Sequence, residues 1–170
     1  MVPESKSRST KENVASSASG AITPVHGFRS GPHNELSTAN LGPTSIPLYD
    51  IGALTGASCT LEVRGLRLTT PPHEGEFAAF CDVKAPAGTI GVRHIDIALE
   101  VLRGRLGVGW FQQGTKTWVG HLNVSQGKHI VQLSVPAAAI AAGQLIFQNN
   151  TPDGAGTAEA CIEAIFLLAA

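Results

Sequence analysis

The sequence has little charge and no long hydrophobic run. Charged residues make up 15% of its 170 residues, and 12 Lys and Arg against 13 Asp and Glu give a formal net charge of −1. A chain so close to neutral has no polycationic surface to attract nucleic acid or anionic lipid. It also contains no apolar stretch of about 18 residues, the length that a transmembrane helix needs. We therefore expect neither nucleic acid nor a membrane as a partner.

Cysteine is scarce, and the usual catalytic and metal-binding motifs are missing. Cys59, Cys81 and Cys161 are odd in number, widely spaced and without a CxxC pair, which argues against a disulfide framework and a zinc site. The six histidines form no HxH and no HExxH, and the sequence contains no GxSxG and no phosphate-binding loop. We expect buried thiols, no metal ion, no cofactor and no catalytic residue.

Apolar residues are unevenly distributed along the chain. Only 12 of residues 1–45 are apolar, and Phe28 is the single aromatic residue among them. We interpret 1–45 as a flexible, disordered N-terminal tail or linker, and 46–170 as one domain. The tail has basic residues near its start but no strongly apolar run like that of a secretory signal. The cytoplasm is therefore the expected location.

The region after residue 45 has the period-2 pattern of β-strands. In 95–101 the odd positions are apolar and the intervening positions are mostly polar. Leu106, Val108 and Trp110 share one face, with glycines on the other, so we expect a hairpin over 101–112 that turns near Gly104. Phe77 shares a parity with Ala79 and Cys81, and Trp118 shares one with Leu122 and Val124.

Helical signals are weak by comparison. Residues 136–142 are the best candidate for a short helical turn, because they are rich in alanine and end before Gly143. The Ala-rich segment 158–166 is interpreted as a strand because it follows a regular strand series. The fold class predicted is all-β, an antiparallel two-sheet β-sandwich or jelly roll in which hairpins predominate.

A candidate binding surface lies around the aromatic residues of 110–123. Trp110 and Trp118 are in phase with aliphatic residues, so both are predicted to lie in the core. Aromatic rings beside amide and imidazole groups can stack on sugar C–H faces and bond to hydroxyls. The predicted ligand-binding residues are Phe111, Gln112, Gln113, His121 and Asn123.

Three segments resemble a known module. They are Leu102-Arg103-Gly104-Arg105-Leu106-Gly107-Val108-Gly109-Trp110, Val131-Gln132-Leu133-Ser134-Val135-Pro136 and Gln144-Leu145-Ile146-Phe147-Gln148-Asn149. Together with Phe77-Ala78-Ala79-Phe80, they resemble a β-sandwich module carried beside FkbM-type methyltransferases and glycosyltransferases. The resemblance covers roughly 60–170, and Gln148 stands where the pattern has Arg.

This resemblance implies a jelly roll like those that bind carbohydrate, with no catalytic residue. The function expected from it is a noncatalytic, carbohydrate-binding-like module that recognises or positions a glycan, accessory to a transferase domain. One alternative is a structural sandwich that assembles with copies of itself. A minor alternative is a small hydrolase, which needs two converging carboxylates or a histidine beside a nucleophile.

Overall fold

The computed structural model describes residues 43–84 and 90–169, and most of these lie in strands. Of the predicted tail, all but residues 43–45 fall outside the described residues. The described part contains eleven strands, one 3₁₀ turn at Leu48–Asp50 and one helical turn, α1, at Ala137–Ile140. The strands are β1 Thr44–Ser45, β2 Ile51–Ala53, β3 Ser58–Glu62, β4 Gly65–Thr69, β5 Phe77–Cys81, β6 Val92–Arg103, β7 Leu106–Gln112, β8 Thr117–Val124, β9 Gly127–Pro136, β10 Gly143–Asn149 and β11 Glu159–Ala169.

The strands form two antiparallel sheets. The six-stranded sheet has the order β3-β4-β11-β6-β9, with β1 also paired to β11, and the five-stranded sheet has the order β2-β5-β10-β7-β8. From β4 to β11 the chain places β4-β11-β6-β9 in one sheet and β5-β10-β7-β8 in the other. This is the eight-strand arrangement of a jelly roll. The predicted all-β, two-sheet fold is confirmed.

The connection between β6 and β7 differs from the prediction. These strands belong to different sheets, so the predicted hairpin over 101–112 is wrong. Gly104 turns the chain from one sheet to the other with a φ of 73°. Among the described strands, only β3–β4 and β7–β8 are sequential neighbours paired in one sheet, so the expectation that hairpins predominate is wrong. A glycine turn between two amphipathic strands suits a crossover as well as a hairpin, which is why the sequence pattern alone did not distinguish them.

The core lies between the two sheets, where the alternating apolar side chains of each strand meet. Ile95 and Ile97 of β6 are fully buried, as the period-2 pattern predicts. The indole of Trp110 is also fully buried, and its Nε1 donates a hydrogen bond of 3.0 Å to the carbonyl oxygen of Ala139 in α1. A buried indole N–H needs such an acceptor. The predicted core position of Trp110, the strand at β11 and the helical turn at α1 are confirmed.

Candidate functional site

A β-bulge in β8 places Trp118 on the outer face of the five-stranded sheet, the face turned away from the six-stranded sheet. Trp110 pairs with Gly120 and Phe111 pairs with Trp118, so Val119 is an extra residue in β8. The bulge shifts the parity of the residues before it. Trp118 therefore lies beside Phe111 on the outer face, and the prediction that it belongs to the core is wrong. Val119 packs against the core instead.

A second bulge has the same effect in β5. Phe147 pairs with Ala79 and Gln148 pairs with Phe77, which leaves Ala78 as the extra residue. Ala78 and Ala79 are both fully buried. Phe77 consequently lies on the outer face, opposite Gln148, and the expectation that it shares a face with Ala79 is wrong.

The two bulges bring together three rings, which we call the aromatic cluster: Phe77, Phe111 and Trp118. Their centroids are 5.3 Å apart for Phe77–Phe111, 5.6 Å for Phe77–Trp118 and 5.2 Å for Phe111–Trp118. All three pairs are edge-to-face, a favoured geometry for aromatic pairs. Each ring is only half-buried, so the cluster presents apolar surface to solvent.

The glycines of β7 make this contact possible. Gly107 and Gly109 alternate with the core residues Leu106, Val108 and Trp110, so their side-chain positions face outward. A Cβ at Gly109 would lie 2.8 Å from the indole of Trp118. A Cβ at Gly107 would lie 2.6 to 2.8 Å from side-chain atoms of both neighbouring strands. Side chains from strands on either side can therefore meet across β7, because β7 has none of its own there.

Polar side chains lie next to the aromatic cluster and form what we call the polar row: His121, Gln148, Asn150 and Asn123. The Nε2 of Gln148 donates to Oδ1 of Asn150 at 2.6 Å and lies 3.0 Å from Nε2 of His121. Asn150 in turn donates to Oδ1 of Asn123. The imidazole centroid is 4.7 Å from that of Trp118, so the row and the cluster are continuous.

Burial lowers the pKa of His121 below its ordinary value, because desolvation penalises the imidazolium. A neutral imidazole can accept the Gln148 N–H through Nε2, whereas an imidazolium has only donors. The contact with Gln148 and the lowered pKa therefore favour the same neutral form.

An apolar groove lies on the other side of the aromatic cluster. It has a volume of about 340 Å³. Ile146, part of its lining, is only 3% exposed although it lies on the outer face. Gln144 donates to Oδ1 of Asp82 at 2.6 Å, and Gln113 donates to Gln144. The lining residues are Leu54, Phe77, Phe80, Phe111, Gln113, Gln144 and Ile146.

The structure brings together most of the residues that the sequence selected. Phe111 is in the aromatic cluster, His121 and Asn123 are in the polar row, and Gln113 lines the groove. Gln112 is the exception. It follows Phe111, so its side chain lies on the opposite side of β7, and its Oε1 accepts a hydrogen bond from Thr115 in the turn to β8.

Several residues of this face escaped sequence reasoning. Trp118 was assigned to the core, and Phe77 to the same face as Ala79 and Cys81, because a bulge is invisible to a period-2 count. Gln148 could have been found, because Gln144, Ile146 and Gln148 alternate with the buried Leu145 and Phe147. Asn150 lies beyond the end of β10, where no periodicity applies.

The three thiols are unsuited to nucleophilic chemistry. Burial raises the pKa of Cys81 to about 11, and it raises the pKa of Cys59 and Cys161 as well. Cys81 and Cys161 are buried as predicted, while Cys59 is half-buried. Within 43–84 and 90–169, no three His, Cys, Asp or Glu side chains are grouped so that they could hold a metal ion. In the same ranges no helix has the length and apolarity to cross a membrane.

The fold and site define a jelly-roll β-sandwich with an aromatic and polar outer face. Among solved structures it is similar to a carbohydrate-binding module from Cellvibrio mixtus lichenase 5A, solved in complex with cellotriose. The identity is 14% over 75% of this chain and 97% of that chain, with a TM-score of 0.49. So distant a likeness says nothing about what this chain binds. No family model matches the sequence, and no curated protein matches it.

Proposed function

We propose that this chain is a noncatalytic, carbohydrate-binding-like module, and that its ligand lies on the outer face of the five-stranded sheet. The observation that carries the proposal is the contact between the aromatic cluster and the polar row, where the ring centroids of Trp118 and His121 are 4.7 Å apart. Half-exposed rings beside amide groups offer both kinds of contact that a sugar needs. Ring faces pack on C–H groups, and amides bond to hydroxyls.

The polar row has hydrogen-bonding capacity left for a ligand, chiefly at His121 and Asn123, because Gln148 and Asn150 are only 7% and 8% exposed. Each carboxamide carries two N–H donors and an oxygen that accepts two bonds. The contacts within the row use both N–H groups of Gln148, one N–H of Asn150 and the oxygens of Asn150 and Asn123. The oxygen of Gln148, one N–H of Asn150 and the amide nitrogen of Asn123 remain. Asn123 is exposed at the edge strand β8, where a ligand can reach it.

The placement of three glutamates supports a role without catalysis, while Asp82, beside the groove, accepts a hydrogen bond from Gln144. Glu100 and Glu163 both contact Arg64, at 2.8 and 3.5 Å, on the outer face of the six-stranded sheet. Glu159 contacts Arg67 at 2.7 Å and Arg103 at 2.6 Å. These carboxylates therefore lie on the other sheet, away from the aromatic cluster, and are held by guanidinium groups.

One histidine does contact a hydroxyl, but the arrangement is not that of a hydrolase. Nδ1 of His94 lies 3.0 Å from Oγ of Ser134, on the open face of the six-stranded sheet. The nearest carboxylate along β6, Asp96, accepts a hydrogen bond from Gln132 at 2.8 Å. In a hydrolase triad a third group orients the histidine, whereas the carboxylate of Asp96 is bonded to Gln132. The proposal therefore does not include hydrolase activity.

An accessory role beside a transferase is the finer part of the proposal. It rests on the three sequence segments that resemble the module beside FkbM-type methyltransferases and glycosyltransferases. The expected consequence is that a transferase with which the chain is co-purified turns over glycan acceptors faster in its presence. Equal turnover with and without the chain would remove this part and leave glycan recognition untouched.

Self-assembly is a second candidate, favoured by apolar side chains on strands at both edges of the six-stranded sheet. Leu61 of β3 is 61% exposed and Ile130 of β9 is 79% exposed. Exposed edge strands of this kind can pair with another copy. Sedimentation of the full chain over a range of concentrations distinguishes the candidates, because a concentration-independent monomer contradicts assembly.

The proposed function is tested by glycan-array screening of the full chain, followed by calorimetric titration of the best ligand. We expect Trp118→Ala to weaken binding by about tenfold, since losing about 60 Å² of buried apolar contact costs about 1.5 kcal/mol at ~25 cal/mol per Å². Phe166→Ala is the matched control, because Phe166 is an aromatic residue, 37% exposed, on β11 of the other sheet. Binding that survives Trp118→Ala, or an array with no glycan bound, contradicts the proposal.

A further inference from the structure

We propose that the ligand is a glycoside with an apolar substituent, an alkyl or aryl aglycone, whose sugar lies on the polar row and whose substituent fills the apolar groove. This inference rests on the proposed function and adds the chemical class of the ligand. It follows from the different chemistry on the two sides of the aromatic cluster.

The aromatic cluster lies between the polar row and the apolar groove, and its rings contact both. Trp118 contacts the polar row through His121, with centroids 4.7 Å apart, while Phe77 and Phe111 line the groove. All three rings are within 5.6 Å of one another. A single ligand that packs on the cluster can therefore have one end on amide groups and the other on aliphatic and aromatic carbon.

The groove itself is poorly suited to a sugar ring. Five of its seven lining residues are apolar, and the other two, Gln113 and Gln144, are carboxamides. Part of their hydrogen-bonding capacity is already used, because Gln113 donates to Gln144 and Gln144 donates to Asp82. Sugar hydroxyls buried there would lose water for few protein partners, which is unfavourable. An alkyl or aryl group has no hydrogen bonds to water to lose, and its burial is favourable.

The groove is also largely preformed. The ring of Phe80 lies over Gly52, where a Cβ would be 2.8 Å from Cε1 of that ring. Ile146, at 3% exposure, is packed beneath the rings. A volume of about 340 Å³ is at the lower end of the range of small-molecule pockets, about 300–1,000 Å³, and suits one substituent better than a further saccharide chain.

The experiment compares matched pairs of glycosides that differ only in the substituent. The probes are methyl and hexyl β-D-glucopyranoside, β-D-galactopyranoside and α-D-mannopyranoside, titrated against the full chain by calorimetry and ligand-observed NMR. Hexan-1-ol is the control without a sugar. For the sugars that bind, we expect the hexyl member to bind at least about tenfold more tightly, because burying about two methylene groups already gives that factor.

Substitutions then show whether the groove is responsible for the higher affinity of the hexyl glycoside. Leu54→Gln makes the groove more polar at a half-buried position, and we expect it to reduce the hexyl advantage by about threefold or more while methyl affinity is unchanged. Leu122→Gln is the matched control, because Leu122 is 44% exposed on the edge strand β8 and does not line the groove. Trp118→Ala is expected to weaken the binding of both the methyl and the hexyl glycoside of a pair.

The outcomes separate the inference from the function on which it rests. Equal affinity of methyl and hexyl glycosides overturns the inference alone, as does array binding of oligosaccharides with no binding of any hexyl glycoside. Hexan-1-ol that binds as tightly as the hexyl glycosides overturns both claims, because the sugar then contributes nothing. A negative array together with no glycoside binding also overturns both.

Discussion

The two tryptophans lie on opposite sides of the five-stranded sheet and have different roles. Trp110 is fully buried and donates its indole N–H to Ala139, so it joins β7 to α1. Trp118 is half-buried and contacts Phe77, Phe111 and His121 on the outer face. Trp110 therefore stabilises the fold, and Trp118 lies on the proposed binding face.

This difference predicts how each tryptophan responds to the same substitution. Trp110→Phe removes the donor to a buried carbonyl oxygen and is expected to lower the free energy of unfolding by about 1–3 kcal/mol. Trp118→Phe keeps a ring in the aromatic cluster and is expected to lower it by less than about 1 kcal/mol. Urea unfolding of both variants measures the difference. A Trp118→Phe protein less stable than Trp110→Phe would contradict the assignment of the two faces.

His121 gives the outer face a dependence on pH. Burial lowers its pKa in the folded chain, so the unfolded chain, with a pKa of about 6.5, takes up the proton first as the pH falls. Above about pH 6.5, neutral His121 makes its full contribution to the free energy of unfolding. This contribution is lost as the pH falls from about 6.5 toward the lower pKa of the folded state.

The corresponding measurement is the unfolding free energy of the wild type and of His121→Gln at pH 7.5 and pH 5. We expect the wild type to lose more stability on acidification than the variant, because glutamine does not titrate. An equal loss in the two proteins would show that His121 does not titrate differently in the folded and unfolded states.

At the scale of elements, the strands were predictable and their pairing was not. Alternation in 95–101 correctly predicted β6 with one buried face. The extra residues Ala78 and Val119 interrupt β5 and β8 without leaving any mark on hydrophobicity, because both are apolar. Phe77 and Trp118 reach the outer face through these two bulges, so the period-2 count placed only residues unaffected by them, such as Phe111 and His121, on that face.

The crossover from β6 to β7 is an element whose geometry makes a specific prediction. Gly104 has a φ of 73°, and a Cβ there would clash with Oγ1 of Thr151 and lie 3.0 Å from Cα of Ala158. Gly91 has a similar φ of 83°, but no described atom lies within 4 Å of its Cβ position. The two glycines share the backbone requirement and differ in their surroundings.

Alanine substitutions separate these effects. Gly91→Ala is expected to cost about 1–2 kcal/mol for the left-handed backbone. Gly104→Ala is expected to cost about 1–3 kcal/mol more, because neighbouring atoms must also move. Thermal or urea unfolding of the two variants gives the comparison, and equal costs would contradict the close packing at the crossover.

At the scale of the whole molecule, the two outer faces differ in chemistry. The six-stranded sheet presents ion pairs such as Arg64–Glu100 and Arg67–Glu159. The five-stranded sheet presents the aromatic cluster, the polar row and the apolar groove. Partly exposed ion pairs contribute little to stability, with a median near 0–1 kcal/mol, and are typical of a solvated surface. The asymmetry between the faces is a further reason to place ligand binding on the five-stranded sheet.

Mapping the ligand by NMR tests this assignment most directly. The ¹⁵N-labelled full chain is titrated with the best ligand from the glycan array, and amide shifts are followed on both sheets. We expect the largest shifts around Phe111, Trp118, His121 and Gln148, with little change around Arg64 and Phe166. Shifts concentrated on the six-stranded sheet, or no shifts at ligand concentrations that saturate calorimetry, would contradict the account.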